Sequence, residues 1–108
     1  MKTSDLTGAA LNWAVNHAAG LTGQFSPVDY CGKWEHGGPI IEGEMIQLTP
    51  HCMVNPLHGW AAAFRSFDED DNVYALHRMR GKTPLIAAMR CYVASKLGDD
   101  IDLPKELT

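Results

Sequence analysis

Residues 83–98 read Thr-Pro-Leu-Ile-Ala-Ala-Met-Arg-Cys-Tyr-Val-Ala-Ser-Lys-Leu-Gly, and this stretch decides the fold. Thr83 is suited to cap a helix, Pro84 to occupy its first position and Gly98 to end it. Apolar residues recur at helical spacing and define a buried face of Leu85, Ile86, Met89, Tyr92, Val93 and Leu97. The flanks are apolar too, so the sequence predicts a central helix with Arg90 and Lys96 at its margins.

Two stretches of alternating residues precede this helix and predict an antiparallel hairpin. Trp60, Ala62 and Phe64 lie at every second position, and residues 73–80 alternate in the same way. A period of two is typical of strands. The acidic segment 68–72 connects them as a turn. The alternative is a helix over 59–67, because residues 61–63 are three alanines and alanine is a strong helix former.

A first helix is predicted near the amino end, beginning at Ser4 or Thr7 and ending at Gly20. Residues three and four positions apart place one apolar stripe on its buried face, consisting of Leu6, Ala10, Trp13, His17 and Leu21. This helix therefore packs against the rest of the domain along that stripe.

A short helix is predicted from Pro39 to about Gln47. Gly37 and Gly38 form a turn with Pro39, and proline is favoured at the first helical position. Residues 22–33 are predicted to be a loop with a short extended piece near 28–31, and the chain after Thr49 is predicted to be irregular. These elements make a small α+β domain, with two or three helices packed on a short antiparallel hairpin or small sheet.

Length and composition predict one domain over residues 1–108. A chain of 108 residues with 45% hydrophobic residues buries a core without disulfides or a structural metal. Cys31, Cys52 and Cys91 are an odd number at wide spacing, which favours reduced thiols. No apolar run approaches the ~20 residues of a membrane span, and the amino end lacks a secretory signal pattern. We therefore expect a cytoplasmic protein with no membrane partner.

Charge is distributed unevenly around a formal net charge of −4. Acidic residues cluster at 68–71 and after residue 98, whereas basic residues cluster at Arg78, Arg80, Lys82 and Arg90. Beside Trp60 and Tyr74, this patch permits single-stranded nucleic acid to bind by stacking and phosphate contacts. The pI of about 5.6 argues against a dedicated nucleic-acid domain. Nucleic-acid binding is therefore the alternative function.

The sequence offers little support for catalysis or a metal. His51, Cys52 and His58, with His36 or Cys31 as a remote fourth ligand, match no common zinc spacing. The segment 68–72 has oxygen ligands at calcium-loop spacing but lacks the required later glycine and glutamate. No catalytic motif or cofactor fingerprint occurs. We expect no cofactor, no metal and no catalytic residue, and a small metal-dependent enzyme is the least favoured reading.

Three blocks of sequence resemble a known family. They are Thr-Ser-Asp-Leu-Thr-Gly-Ala-Ala-Leu-Asn-Trp-Ala-Val at 3–15, Gly-Gly-Pro-Ile-Ile-Glu at 37–42, and the helix at 83–98 with Asp99. In this order the blocks resemble the NinX-like family of small proteins encoded by tailed phages and prophages. The resemblance implies Trp34 and Trp60 as family positions. It also implies an accessory protein that acts inside an infected or lysogenic bacterium.

A protein-binding module is the leading functional hypothesis. In the predicted recognition surface, tryptophan side chains form the walls and glycines form the base. The surface consists of Trp34, Gly37, Gly38, Pro39, Glu42 and Trp60. The expected partner is a host or phage protein, and the apolar helix faces also permit a homodimer. The opposing hypothesis is that both tryptophans belong to the core.

Overall fold

The computed structural model describes residues 2–20, 28–50, 59–67 and 73–103, with the backbone alone at 50, 64–67 and 73–77. The elements, in chain order, are a 3-10 turn at Thr3–Asp5, α1 at Gly8–Ala18, α2 at Trp34–Glu44, β1 at Gln47–Pro50, β2 at Trp60–Phe67, β3 at Val73–Gly81 and α3 at Pro84–Leu97. The predicted α+β class is confirmed. Among the described residues, no helix is long and apolar enough to cross a bilayer.

The three strands form one antiparallel sheet in the order β1-β2-β3. Leu48 pairs with Ala62, and Ala62 pairs with Met79, so these three residues lie in one row across the sheet. The predicted hairpin of β2 and β3 is confirmed, and the alternative helix over 59–67 is wrong. Its three alanines are divided between the two faces of the sheet, and only Ala62 is buried.

Helix α3 is the central layer of the domain, as predicted. It packs against all three strands and also against α1 and α2. The Thr83 hydroxyl oxygen accepts a hydrogen bond from the Ile86 amide at 3.1 Å, and Gly98 ends the helix with a φ of 89°. Eight of its residues are buried, namely Leu85, Ala87, Ala88, Met89, Cys91, Tyr92, Val93 and Ala94. Because the sheet and the two other helices both pack on it, almost every side of α3 is covered.

Helix α1 buries a different face from the one predicted. It begins at Gly8, after the 3-10 turn that contains Ser4, and its buried residues are Leu11, Ala14, Val15 and Asn16. His17 is exposed, and its ring stacks on the half-buried Trp13 ring with centroids 5.1 Å apart. Leu6 is buried but precedes the helix, and Leu21 lies outside the described residues. The predicted stripe is therefore wrong at the exposed His17, whereas its Ala10 and Trp13 are half-buried and pack at the edge of the core.

Helix α2 begins at Trp34, five residues before the predicted start, so Pro39 lies inside the helix. Proline has no N–H to donate to the carbonyl one turn earlier, and the helix therefore forgoes one hydrogen bond. Gly37, two residues before the proline, lies where α2 packs closely on its neighbours. A Cβ at Gly37 would contact the Tyr30 carbonyl oxygen and would lie 2.6 Å from Leu85 Cδ2. The predicted glycine turn is instead a close contact between α2 and its neighbours.

Strand β1 was not predicted. The sequence predicts the end of a helix and an irregular segment where Gln47–Pro50 forms a four-residue strand on β2. The chain turns from α2 into β1 at Met45. This residue has a φ of 54° and a ψ of 45°, so its left-handed conformation ends the helix. The Ile46 amide donates a hydrogen bond to the Ile41 carbonyl at 3.0 Å, which closes the helix end.

Candidate functional site

The exposed side of α2 carries most of the residues predicted to form a recognition surface. Trp34 is 54% exposed at the start of the helix, and Met45 is 78% exposed directly after its end. Gly38 lies one turn after Trp34, and a Cβ there would lie 3.8 Å from the Trp34 ring. Glu42 lies one turn further and is exposed. We call this the α2 surface, consisting of Trp34, Glu35, Gly38, Glu42 and Met45.

The remaining predicted recognition residues lie elsewhere. Gly37 is buried against Tyr30 and Leu85, and Pro39 is exposed on α2. Trp60 lies at the start of β2, where it is half-buried and packs against the hydrophobic core. The structure thus places Trp34 in solvent and Trp60 against the core. A single surface that contains both tryptophans stays a prediction.

A hydrogen-bonded cluster, which we call the latch, joins Asn12 and Asn16 of α1 to residues 29–31, just before α2. The Asn12 side chain accepts a hydrogen bond from the Cys31 amide at 3.1 Å and donates one to Asp29 at 3.1 Å. The Tyr30 hydroxyl donates to the Asn16 side-chain oxygen at 3.3 Å. These contacts fix residues 29–31 on α1, immediately before α2 begins. The sequence analysis missed this latch because its partners are about 14 to 19 residues apart in a region without regular periodicity.

The Cys31 thiol belongs to the same cluster. It lies 3.7 Å from both the Gly8 carbonyl oxygen and an Asp29 carboxylate oxygen. Burial raises the pKa of this thiol, and the negative charge of Asp29 raises it further. A thiol with a raised pKa is a poor nucleophile at neutral pH, since the thiolate is the reactive form. Its burial and these two contacts therefore give Cys31 a structural role.

The carboxyl end of α2 is fixed to α3 by an ion pair. Glu44 Oε2 lies 3.7 Å from Lys96 Nζ, and the same ammonium group lies 5.9 Å from the centre of the Tyr92 ring. Burial raises the pKa of Tyr92, with a further contribution from the negative charge of Glu44. Glu44 is therefore engaged within the domain, whereas Glu35 and Glu42 are exposed, with Glu35 Oε1 3.9 Å from His36 Nε2.

A second candidate site is the outer face of the sheet, on the side away from α3. Ala62 and Met79 face the core, so the alternating positions lie on the opposite face. Across the register, Arg78 lies beside Ala63 and Arg80 beside Ala61. Both arginines are exposed. We call this the basic sheet face, consisting of Gln47, Thr49, Ala61, Ala63, Arg78 and Arg80.

The other residues of the predicted basic patch are divided. Lys82 is exposed just after β3. The Arg90 guanidinium donates hydrogen bonds to the Leu6 carbonyl at 2.8 Å and the Arg80 carbonyl at 2.7 Å. Burial lowers the pKa of Arg90. Arg90 thus connects the amino-terminal segment to β3, and Trp60 packs on the core side of the sheet rather than beside Arg78 and Arg80.

Several sequence hypotheses concern residues that the structure does not describe. His51, Cys52, His58 and the acidic segment 68–72 lie outside the described residues, as does the side chain of Tyr74. Within 2–20, 28–50, 59–67 and 73–103, no group of three or more histidine, cysteine, aspartate or glutamate side chains is arranged to hold a metal ion. Cys31 and Cys91 are both buried thiols.

Comparison with known proteins identifies a family. No curated protein matches the chain. A family model described as "Bacteriophage P22, NinX" matches residues 21–96 of the 108. The match includes all of α2 and the sheet and all but the last residue of α3. Of the three blocks that carry the sequence resemblance, the match contains the one at 37–42 and most of the one at 83–99, whereas the block at 3–15 lies outside it. The chain therefore belongs to the bacteriophage P22 NinX family.

Proposed function

We propose that this protein is a phage accessory protein that binds a host or phage protein through the α2 surface. The observation that carries the proposal is the exposure of Trp34 and Met45. Within the described part of the chain, they are the large hydrophobic residues that stand exposed rather than in the core. An exposed tryptophan contributes little to folding, but it is among the residues that most often dominate protein interfaces.

The arrangement of the α2 surface suits a protein partner. A helix of eleven residues is about 16 Å long, so Trp34 and Met45 provide two apolar anchors that distance apart. Gly38 has no side chain, so a partner can approach the helix backbone between the two anchors. Glu35 and Glu42 supply negative charge at the edge of the surface. Methionine adapts its shape to a partner because its side chain is unbranched and flexible. These features support recognition by contact and require no chemical step.

Site-specific photo-crosslinking in infected cells tests this function. A photoreactive amino acid replaces Met45, and a matched control replaces Ala9, which is exposed on α1. We expect a discrete protein adduct from position 45, none of the same mass from position 9, and loss of the adduct when Trp34→Ala is added. An adduct that persists in Trp34→Ala, or that position 9 also gives, contradicts binding through the α2 surface.

Nucleic-acid binding through the basic sheet face is the second candidate function. It is favoured by the exposure of Arg78, Arg80 and Lys82 and by the absence of any acidic residue among the six described residues of that face. Since Trp60 packs on the core side, phosphate contact rather than stacking on Trp60 supplies the affinity. Titration of labelled single strands at two salt concentrations tests it, because phosphate contacts weaken steeply with salt. Binding without salt dependence, or unchanged in Arg78→Gln/Arg80→Gln, contradicts it.

A further inference from the structure

We propose that copies of this protein associate head to tail, with the α2 surface of one copy docked on the basic sheet face of the next. The inference rests on the proposed function in one respect, since it also treats the α2 surface as a docking site. It commits to a second copy of the chain as the occupant of both surfaces. Charge complementarity between them carries the argument.

The α2 surface is acidic. Helix α2 contains three glutamates and no lysine or arginine, and the exposed Lys33 at its N-cap is the cation next to it. Glu44 pairs with Lys96, whereas Glu35 and Glu42 are exposed. Glu35 Oε1 also lies 3.9 Å from Nε2 of the neighbouring His36. These two residues are seven positions apart, so they lie on the same side of the helix and about 10 Å apart along its axis. The carboxylates and the exposed Trp34 ring therefore belong to one continuous surface.

The basic sheet face has the opposite charge. Arg78 and Arg80 are two positions apart on β3, so they point to the same side and are separated by about 7 Å. The four other residues of the face whose side chains the structure describes are uncharged. Lys82, exposed just beyond the strand, extends the positive charge. The row of cations thus has a length similar to that of the row of carboxylates on α2.

The shapes of the two surfaces also agree. Ala61 and Ala63 lie on the middle strand, and their side chains project less from the sheet than those of Arg78 and Arg80 on β3. The centre of the basic sheet face is therefore a shallow depression. A projecting indole fits such a depression, and an arginine beside it adds a cation–π contact. Trp34 is the exposed aromatic residue of the α2 surface. The proposed contact therefore combines an apolar centre with paired charges.

The position of α3 determines the form of the assembly. Helix α3 packs against the sheet with one side and against α2 with another, so the two surfaces lie on different sides of the domain. When one copy binds the next, each end of the pair keeps an unoccupied surface. A heterologous contact of this kind adds further copies rather than closing a two-fold dimer. Since paired charges exposed to solvent supply much of the contact, its strength falls as salt rises.

Sedimentation equilibrium with complementary charge-reversal variants tests the proposal. One variant carries Glu35→Lys/Glu42→Lys, and the other carries Arg78→Glu/Arg80→Glu. Each variant alone has two surfaces of the same sign, whereas a mixture again offers opposite surfaces. A control variant, Asp99→Lys/Asp102→Lys, makes the same change in net charge as the first variant at two exposed residues outside both surfaces. Circular dichroism establishes that each variant is folded.

We expect the unmodified protein to exceed 11.9 kDa in weight-average mass as concentration rises. Raising salt from about 50 to about 500 mM lowers the association constant at least tenfold. Each folded charge-reversal variant is monomeric alone, their equimolar mixture associates, and the control behaves like the unmodified protein. Monomeric unmodified protein at low salt, or a mixture that stays monomeric, overturns the proposal. If the Trp34-dependent adduct at Met45 nevertheless forms with another protein, the proposed function stands and only self-association fails.

Discussion

Helices α2 and α3 are formed in opposite ways. Helix α3 has a side-chain cap at Thr83, proline at its first position and glycine at its end. Helix α2 lacks a side-chain hydrogen bond at its cap, contains Pro39 and three glycines, and ends at Met45 in a left-handed conformation. Each interior glycine costs roughly 1 kcal/mol and an interior proline about 3 kcal/mol relative to alanine. Local sequence thus determines α3, whereas tertiary contacts must hold α2 in place.

Replacing Gly37 is the strongest test of whether tertiary contacts, rather than local propensity, hold α2 in place. Alanine is the better helix former, yet its Cβ would contact the Tyr30 carbonyl oxygen and lie 2.6 Å from Leu85 Cδ2. We expect Gly37→Ala to lower the free energy of unfolding by about 2 kcal/mol, since overpacking outweighs the gain in propensity. Urea denaturation measures the change.

Gly38→Ala is the matched control for that experiment. A Cβ at position 38 meets only the Trp34 ring at 3.8 Å, which is ordinary contact. We expect this variant to be as stable as the original protein or up to about 1 kcal/mol more stable. Equal losses at 37 and 38 would show that helix packing does not distinguish the two glycines.

Removing the latch is expected to have the next largest effect. Asn12→Ala leaves the buried Cys31 amide without its acceptor and leaves the Asp29 carboxylate with only the Cys31 thiol among its described side-chain donors. We expect a loss of about 1 to 3 kcal/mol, because an unsatisfied buried group costs more than the hydrogen bond contributed. Protection of the α2 amides from hydrogen exchange should fall more than protection of α3. Equal loss of protection in both helices would contradict a specific role for the latch in placing α2.

The helix caps provide a smaller, two-sided test. Thr83→Ala removes the hydrogen bond to the Ile86 amide and should cost about 1 kcal/mol. Lys33 occupies the same position in α2 with extended backbone but no side-chain cap bond. Lys33→Asp should therefore add about 0.5 to 1 kcal/mol. Thermal unfolding of both variants measures these changes. Destabilisation by Lys33→Asp would contradict the prediction that a capping side chain at position 33 stabilises α2.

The smallest expected effect concerns Met45. Its φ of 54° lies in the region that glycine adopts without strain. We expect Met45→Gly to stabilise the fold by about 0.5 kcal/mol, because relief of strain slightly exceeds the added chain entropy. The same change should weaken partner binding, since it removes one apolar anchor. A variant that is less stable than the original protein would mean that the Met45 side chain contributes to folding.

Local sequence predicts those parts of the fold whose signals all agree. In α3 the cap, the proline, the glycine and the apolar pattern indicate the same helix. In β2 the period of two and the high helix propensity of alanine disagree, and the sheet decides the outcome by burying Ala62 between Leu48 and Met79. Strand β1 has four residues and pairs only with β2 among the described strands, so it carries too little pattern to be predicted.

The candidate sites were only partly predictable. Trp34, Gly38 and Glu42 recur four residues apart, but this spacing has meaning only once α2 is known to begin at Trp34. Met45 has no local signal, since nothing in its neighbours indicates that a methionine ends the helix in solvent. Arg78 and Arg80 were recognised as sharing a strand face, whereas the contacts of Arg90 with Leu6 and Arg80 depend on residues 84 and 10 positions away.

The α+β class, the β2–β3 hairpin and the central helix follow from local sequence, because periodicity and capping act between residues a few positions apart. The start of α2, the buried face of α1 and the exposure of Trp34 rather than Trp60 depend instead on how the elements pack together. Those outcomes depend on close contacts such as Gly37 with Tyr30 and Leu85. Such contacts join residues distant in sequence, and their free energy exceeds the local preferences of glycine and proline.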